Sequence, residues 1–133
     1  MKKTEQGLDN FFAALKKLEE FLAAPVVTER DKAGVIQAFE FAFELFWKAV
    51  QKFAQEEGLS ANSPKQALKE AFQLKIIPAE SEQAWLDMLK DRNLTSHMYD
   101  QSVADGIFER IRSSHFKNLK AAGKILQEKI KAS

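Results

Sequence analysis

Apolar residues recur along the chain at steps of three and four, the spacing that lines one face of a helix, rather than with the period-two alternation of a strand. The first segment places Leu8, Phe11, Phe12, Leu15, Leu18 and Leu22 on one side and stops at Pro25, which has no N–H to donate and disfavours helical geometry at Ala24. A helix over residues 5–23 is predicted. Thr28 then offers an N-cap, with Asp31 three positions on, where a capping box usually carries Glu or Gln. Apolar positions 35, 39, 43, 46, 50 and 53 follow until Gly58, which predicts the longest helix, about 28 residues and about 42 Å at 1.5 Å per residue. Ser63 and Pro64 read as N-cap and first position of a short third helix through Leu74, and Pro78 with Glu80 and Glu82 opens a fourth that carries Trp85, Leu86 and Leu89. The last helix starts near Asp100, a capping residue, and runs towards Ile130 with a seam of Phe108, Ile111, His115, Leu119, Ala122 and Leu126. The expected fold is all-α: an up-and-down bundle of four or five helices, with residues 1–133 forming a single domain.

Composition narrows the function classes. At 133 residues with 45% hydrophobic and 29% charged, the chain has material for one core. No apolar run approaches the roughly 20 residues of a membrane span, and the start of the chain (Met1, Lys2, Lys3, Thr4, Glu5) turns polar at once, so a soluble, cytoplasmic protein without a membrane segment is expected. Zero cysteines exclude disulfides, thiolate catalysis and Cys-ligated metal sites, and two histidines leave little for a His-rich one. The net charge of +1 provides no global positive field, so any recognition of phosphate must be local. Charge is uneven, however: residues 107–133 carry seven basic and two acidic side chains, against two basic and six acidic over 78–105. These are read as solvated helix faces pairing across the bundle, with a phosphate-attracting stripe as the sharper alternative.

Several features have simple structural readings. The second helix holds Phe39, Phe41, Phe43, Phe46, Trp47 and Phe53, more than one stripe, so one face fills the core and the excess is available to a partner. Trp47 and Trp85 are read as packing, and His115 as a core or interface histidine on its apolar seam. Glu40 and Glu44 lie one turn apart and have the chemistry to bind a metal or act as acid and base; beside Lys48 they are more simply a salt-bridged face. No P-loop, dinucleotide-binding, zincin or nucleophile-elbow motif is present.

The chemically informative stretch is Asp91-Arg92-Asn93-Leu94-Thr95-Ser96-His97-Met98-Tyr99-Asp100. If the fourth helix continues through it, Trp85, Leu89, Arg92, Ser96 and Tyr99 share a face, and polar groups interrupt a stripe that began apolar. Arg92 and His97 are about 140° apart on an ideal helix. They therefore converge only through the reach of the arginine, a local unwinding, or a second protomer. Arginine holds phosphate oxygens in a fork, and imidazole moves protons near neutrality, which together suit phosphodiester chemistry without a metal. A symmetric dimer would supply two copies of His97 as proton carriers, with Asn93 and Ser96 as neutral hydrogen-bond donors.

Asp31-Lys32-Ala33-Gly34, Phe39-Glu40-Phe41, Glu44-Leu45-Phe46-Trp47-Lys48, Ser63-Pro64, Trp85-Leu86-Asp87-Met88-Leu89 and the stretch Asp91 to Asp100 follow one another in an order that resembles the nucleotidyltransferase substrate-binding protein family of the HEPN superfamily. The resemblance covers roughly residues 8–120, and its core is R-N-x-x-x-H-x-Y. It implies a helical bundle similar to the substrate-binding domain of kanamycin nucleotidyltransferase, a homodimer, and a separate minimal nucleotidyltransferase as partner. One interpretation of such pairs is a toxin–antitoxin system of the HepT type, with the bundle a metal-independent ribonuclease needing no cofactor. Carried onto this chain, Arg92 would bind the scissile phosphate, His97 would transfer protons, and Asn93 would orient the phosphate or the motif. Tyr99 would be adenylylated by the partner, and a bulky anionic adduct would block RNA. The alternative is a non-catalytic subunit presenting a substrate or nucleotide to the nucleotidyltransferase, which predicts binding without cleavage; a purely structural adaptor would require the Arg92-to-Tyr99 cluster to be accidental.

Overall fold

The computed structural model describes residues 2–133, with side chains from Thr4 onward; Met1, with which the polar start of the chain opens, lies outside the described residues. Among the described residues six helices follow in order: α1 (Lys2–Ala23), α2 (Glu29–Glu56), α3 (Pro64–Gln73), α4 (Glu82–Leu94), α5 (Gln101–Arg110) and α6 (Phe116–Ala132). Single turns of three-ten helix precede α4 (Ala79–Ser81) and follow it (Thr95–His97), and a π-turn (Ile111–His115) joins α5 to α6. The bundle is all-α, as the periodicity predicts.

The helix starts are set by local chemistry. Thr28 and Asp31 form the reciprocal capping box, Asp31 accepting from the Thr28 backbone N–H and Thr28 Oγ1 accepting from Asp31. The shorter aspartate thus serves where glutamate is usual. Ser63 caps α3 with Pro64 at its first position, and Asp100 caps α5 by accepting from the Ser102 N–H. The α2 helix ends at Gly58, whose φ of +83° allows its N–H and that of Leu59 to close back onto the carbonyls of Gln55 and Ala54. The α3 helix ends the same way without a glycine: Lys75 takes φ +61°, its N–H bonding Phe72 and that of Ile76 bonding Ala71.

Packing centres on α2, which touches α1, α3, α5 and α6. Phe39, Phe43, Phe46, Trp47 and Phe53 are buried along it, so most of the aromatic excess is core; Phe41, 59% exposed, is the part left outside. Phe46 packs on the buried Trp85 with ring centroids 4.9 Å apart, which carries the core onto α4, and both tryptophans serve packing as expected. At the α1–α6 crossing Gly123 lets Phe11 approach so closely that a Cβ would lie 2.5 Å from its ring. Leu86, which the fourth helix carries beside Trp85, is 45% exposed. The last helix also departs from expectation: it is interrupted at the π-turn, where the Phe116 N–H reaches Ile111, five residues back. All six seam residues, His115 among them, are buried across the break.

Candidate functional site

The predicted site residues gather at the C-terminal end of α4, but not on one helical face. The α-helix stops at Leu94 and tightens into the three-ten turn Thr95–His97, so the face shared by Trp85, Leu89 and Arg92 does not extend to Tyr99. The spacing left open a local change of winding that would let Arg92 and His97 converge; the winding does change here, but the two side chains bond different partners. Thr95 sits at the change: its buried hydroxyl lies 2.7 Å from the Arg92 carbonyl oxygen and 2.9 Å from Glu40 Oε2, tying the end of α4 to α2.

Arg92 is partly buried. Its Nη2 donates to Glu44 Oε1 at 3.1 Å and its Nη1 to Asn93 Oδ1 at 3.3 Å. The other oxygen of Glu44 accepts from the Trp47 indole at 3.0 Å, with Lys48 at 3.9 Å. Glu40 and Glu44, read from sequence as a face paired with Lys48, thus belong mainly to the α4 terminus. Among the described residues no cluster of three or more His, Cys, Asp or Glu that could hold a metal is found.

His97 and Tyr99 stand in solvent beyond the helix. Tyr99 is 83% exposed, and its hydroxyl lies 3.3 Å from His97 Nδ1, with the rings edge to face. Asn93 and Ser96 are exposed as well, and the Ser96 hydroxyl donates to the Asn93 carbonyl. The hydrogen bonds of Arg92 go to Glu44 and Asn93, and that of His97 to Tyr99. The chain therefore displays an arginine fork and an accessible imidazole five residues apart without a direct bond between them.

Beneath this surface lies a polar cluster that sequence reasoning missed. Asp91 is 2% exposed and accepts from Arg110 Nε at 2.7 Å, Arg110 Nη2 at 2.9 Å and His115 Nε2 at 2.7 Å. A carboxylate only accepts, so His115 carries hydrogen on Nε2; its ring stacks on Phe39. Burial alone would push Asp91 up, but the hydrogen bonds from His115 and Arg110, with their charges, hold it below the ordinary aspartate range. The same bonds raise Arg110. The available signal was Asp91 itself, in step with Trp85 and Met88 on the buried side of α4.

Residues 6–128 match the family described as nucleotidyltransferase substrate binding protein like. The chain belongs to this family. Among curated proteins, this nucleotidyltransferase substrate-binding-like chain is 33% identical over 84 residues to a Haemophilus influenzae protein named "Probable ribonuclease HepT", an alignment covering 59% of this chain and 56% of that one. The chain thus spans little more than half the length of that relative. Among solved structures, a crystal structure of a protein from Thermus thermophilus is similar at a TM-score of 0.72 and 30% identity, covering 92% of this chain and 97% of the other. The helical fold is therefore shared with that structure over nearly the whole chain. No helix among the described residues is long and apolar enough to cross a membrane.

Proposed function

We propose that this protein is a HepT-like, metal-independent RNA endonuclease, the toxin of a pair whose antitoxin is a minimal nucleotidyltransferase. The observation that carries the proposal is the exposed imidazole of His97, one turn past an arginine whose fork is held ready by Glu44 and Asn93. The similarity to a protein named as a ribonuclease, and membership of a nucleotidyltransferase-associated family, support it.

In this reading an RNA 2′-hydroxyl attacks the adjacent phosphorus and the 5′-oxygen leaves, giving a 2′,3′-cyclic phosphate and a 5′-hydroxyl. The Arg92 guanidinium holds the phosphate oxygens and stabilises the charge that develops on them. One His97 takes the proton from the 2′-hydroxyl and a second, from the partner of a homodimer, gives one to the leaving oxygen. Asn93 and Ser96 border the phosphate. The partner enzyme turns the reaction off by transferring an adenylyl group to Tyr99: the phenol oxygen attacks the α-phosphorus of a nucleoside triphosphate and pyrophosphate leaves. The exposure of Tyr99 supports this, since another enzyme must reach its hydroxyl.

A second reading has a specific observation in its favour: Arg92 bonds Glu44 and Asn93 while His97 bonds only Tyr99, so the two catalytic groups are not joined around one phosphate. It makes the chain a non-catalytic subunit that binds a substrate or nucleotide for the nucleotidyltransferase. Cleavage of mixed RNA in EDTA separates the two, using protein whose Tyr99 is unmodified by mass spectrometry. Chelator-resistant cleavage, lost in both Arg92→Ala and His97→Ala, is expected; unmodified dimeric protein that binds RNA or nucleotide without cleaving it would establish the second reading.

A further inference from the structure

The Asp91 cluster is the most heavily bonded polar group in the core, and the chemistry proposed above makes no use of it. It joins α4 to Arg110, just before the π-turn, and to His115, the last residue of the turn. In an uninterrupted α-helix Arg110 and His115, five positions apart, would point about 140° from one another. The π-turn closes i to i+5, as the Phe116 N–H does onto Ile111, and so brings residues five apart onto one face. Both then reach the same carboxylate. The interruption is what allows one aspartate to receive three hydrogen bonds.

Trp85 on Phe46, Met88 and the Thr95–Glu40 bond orient α4, yet Leu86 is exposed and Leu89 half-buried, so the apolar pattern alone holds its rotation only loosely and a further tie matters. Each residue step is about 100° around the axis. Only with Asp91 inward does Arg92, the next residue, lie against Glu44. A buried charge network is a poor source of net stability but a strong penalty on any arrangement that leaves its members unpaired.

We infer that Asp91, gripped by Arg110 and His115 across the π-turn, is a positioning residue that fixes the rotation of α4 and thereby the placement of Arg92 and of the turn bearing His97. The inference rests on the ribonuclease reading only for its kinetic consequence. Asp91→Asn keeps the shape and loses the bidentate pairing; a triple variant, Asp91→Leu with Arg110→Met and His115→Phe, replaces the cluster by apolar side chains. Both are expected to keep the helical circular dichroism of the wild type. Both are expected to cleave RNA on the order of 100-fold more slowly at saturation, the scale of a small misplacement, with KM little changed. A folded triple variant that cleaves at the wild-type rate, or Asp91→Asn with kcat unchanged, would overturn the inference.

A second readout does not depend on RNA. Hydrogen exchange at the Arg92 guanidinium, followed by NMR, should be slow in the wild type and several-fold faster in both variants, because the Glu44 bond is lost. Unchanged exchange in Asp91→Asn refutes the positioning role whether or not the protein cleaves RNA. Faster exchange alongside a wild type that does not cleave upholds it and sinks the ribonuclease reading instead.

Discussion

The guanidinium of Arg92 is held 3.1 Å from the carboxylate of Glu44, a residue of another helix that is itself anchored by the Trp47 indole. Both side chains are about one-third exposed, so the pair contributes less than about 1 kcal/mol to folding. Its consequence lies in aiming the arginine and in opposing a second anion. Glu44→Gln removes the repulsion but weakens the orientation. It is expected to lower KM for RNA and to lower kcat by about tenfold, the worth of one charge-assisted hydrogen bond, with the melting temperature nearly unchanged. Steady-state cleavage at two salt concentrations checks this; a raised KM would show that Glu44 helps bind the substrate.

Acid stability isolates Asp91. Its carboxyl is held below the ordinary range in the folded state, so its contribution is complete above the unfolded value of about 4 and is lost as pH falls through the folded value. Asp31, Asp100 and Asp105 are shifted the same way by hydrogen bonds, but they are solvated and contribute far less. Asp91→Asn is expected to cost about 2–4 kcal/mol at pH 7, where it leaves His115 and Arg110 incompletely paired, and progressively less below pH 4. Urea titrations of both proteins from pH 7 to pH 3 measure the difference. Parallel curves across that range would assign the acid limb to other groups.

The helix boundaries were legible because their signals are local: Thr28 with Asp31, Ser63 with Pro64, and Asp100 each act within three residues. The Arg92-to-Tyr99 cluster was legible as chemistry, since reactive types are concentrated there against an apolar background. What joins it to the fold was not. Glu44 lies 48 positions from Arg92 and Asp91 lies 24 from His115, and nothing in the spacing of either pair announces its partner. The π-turn was hidden for a related reason. An apolar seam reads as continuous α-helix across Ile111–His115, and the carboxylate that His115 meets there comes from another helix.

Lys75 offers a test of local strain. It closes α3 in the left-handed region at φ +61°, a conformation that glycine adopts freely and that costs a side chain about 1 kcal/mol. The side chain is exposed, so little packing is lost on its removal. Lys75→Gly is expected to stabilise the protein by a few tenths of a kcal/mol up to about 1 kcal/mol, the relief of strain being partly offset by the greater freedom of glycine in the unfolded chain. Denaturant midpoints at constant m-value decide it, and destabilisation would mean that the lysine makes a favourable contact beyond its backbone.

Tyr99 separates intrinsic activity from its control. Its hydroxyl reaches only His97, at 3.3 Å between two solvent-exposed rings, a bond too long and too wet to set the imidazole's orientation firmly. Tyr99→Phe is therefore expected to change RNA cleavage by less than about threefold, since an exposed neutral hydrogen bond contributes little. The same variant should be wholly resistant to adenylyl transfer by the cognate nucleotidyltransferase, because it lacks the oxygen that attacks. It should accordingly keep cleaving RNA in that enzyme's presence, whereas the wild type gains one adenylyl group per chain and falls silent. Mass spectrometry of both proteins after incubation with enzyme and nucleotide, followed by the cleavage assay, reads the two effects independently. Modification of Tyr99→Phe at another residue would move the control site, and loss of cleavage without any modification would make the tyrosine hydroxyl part of the reaction itself.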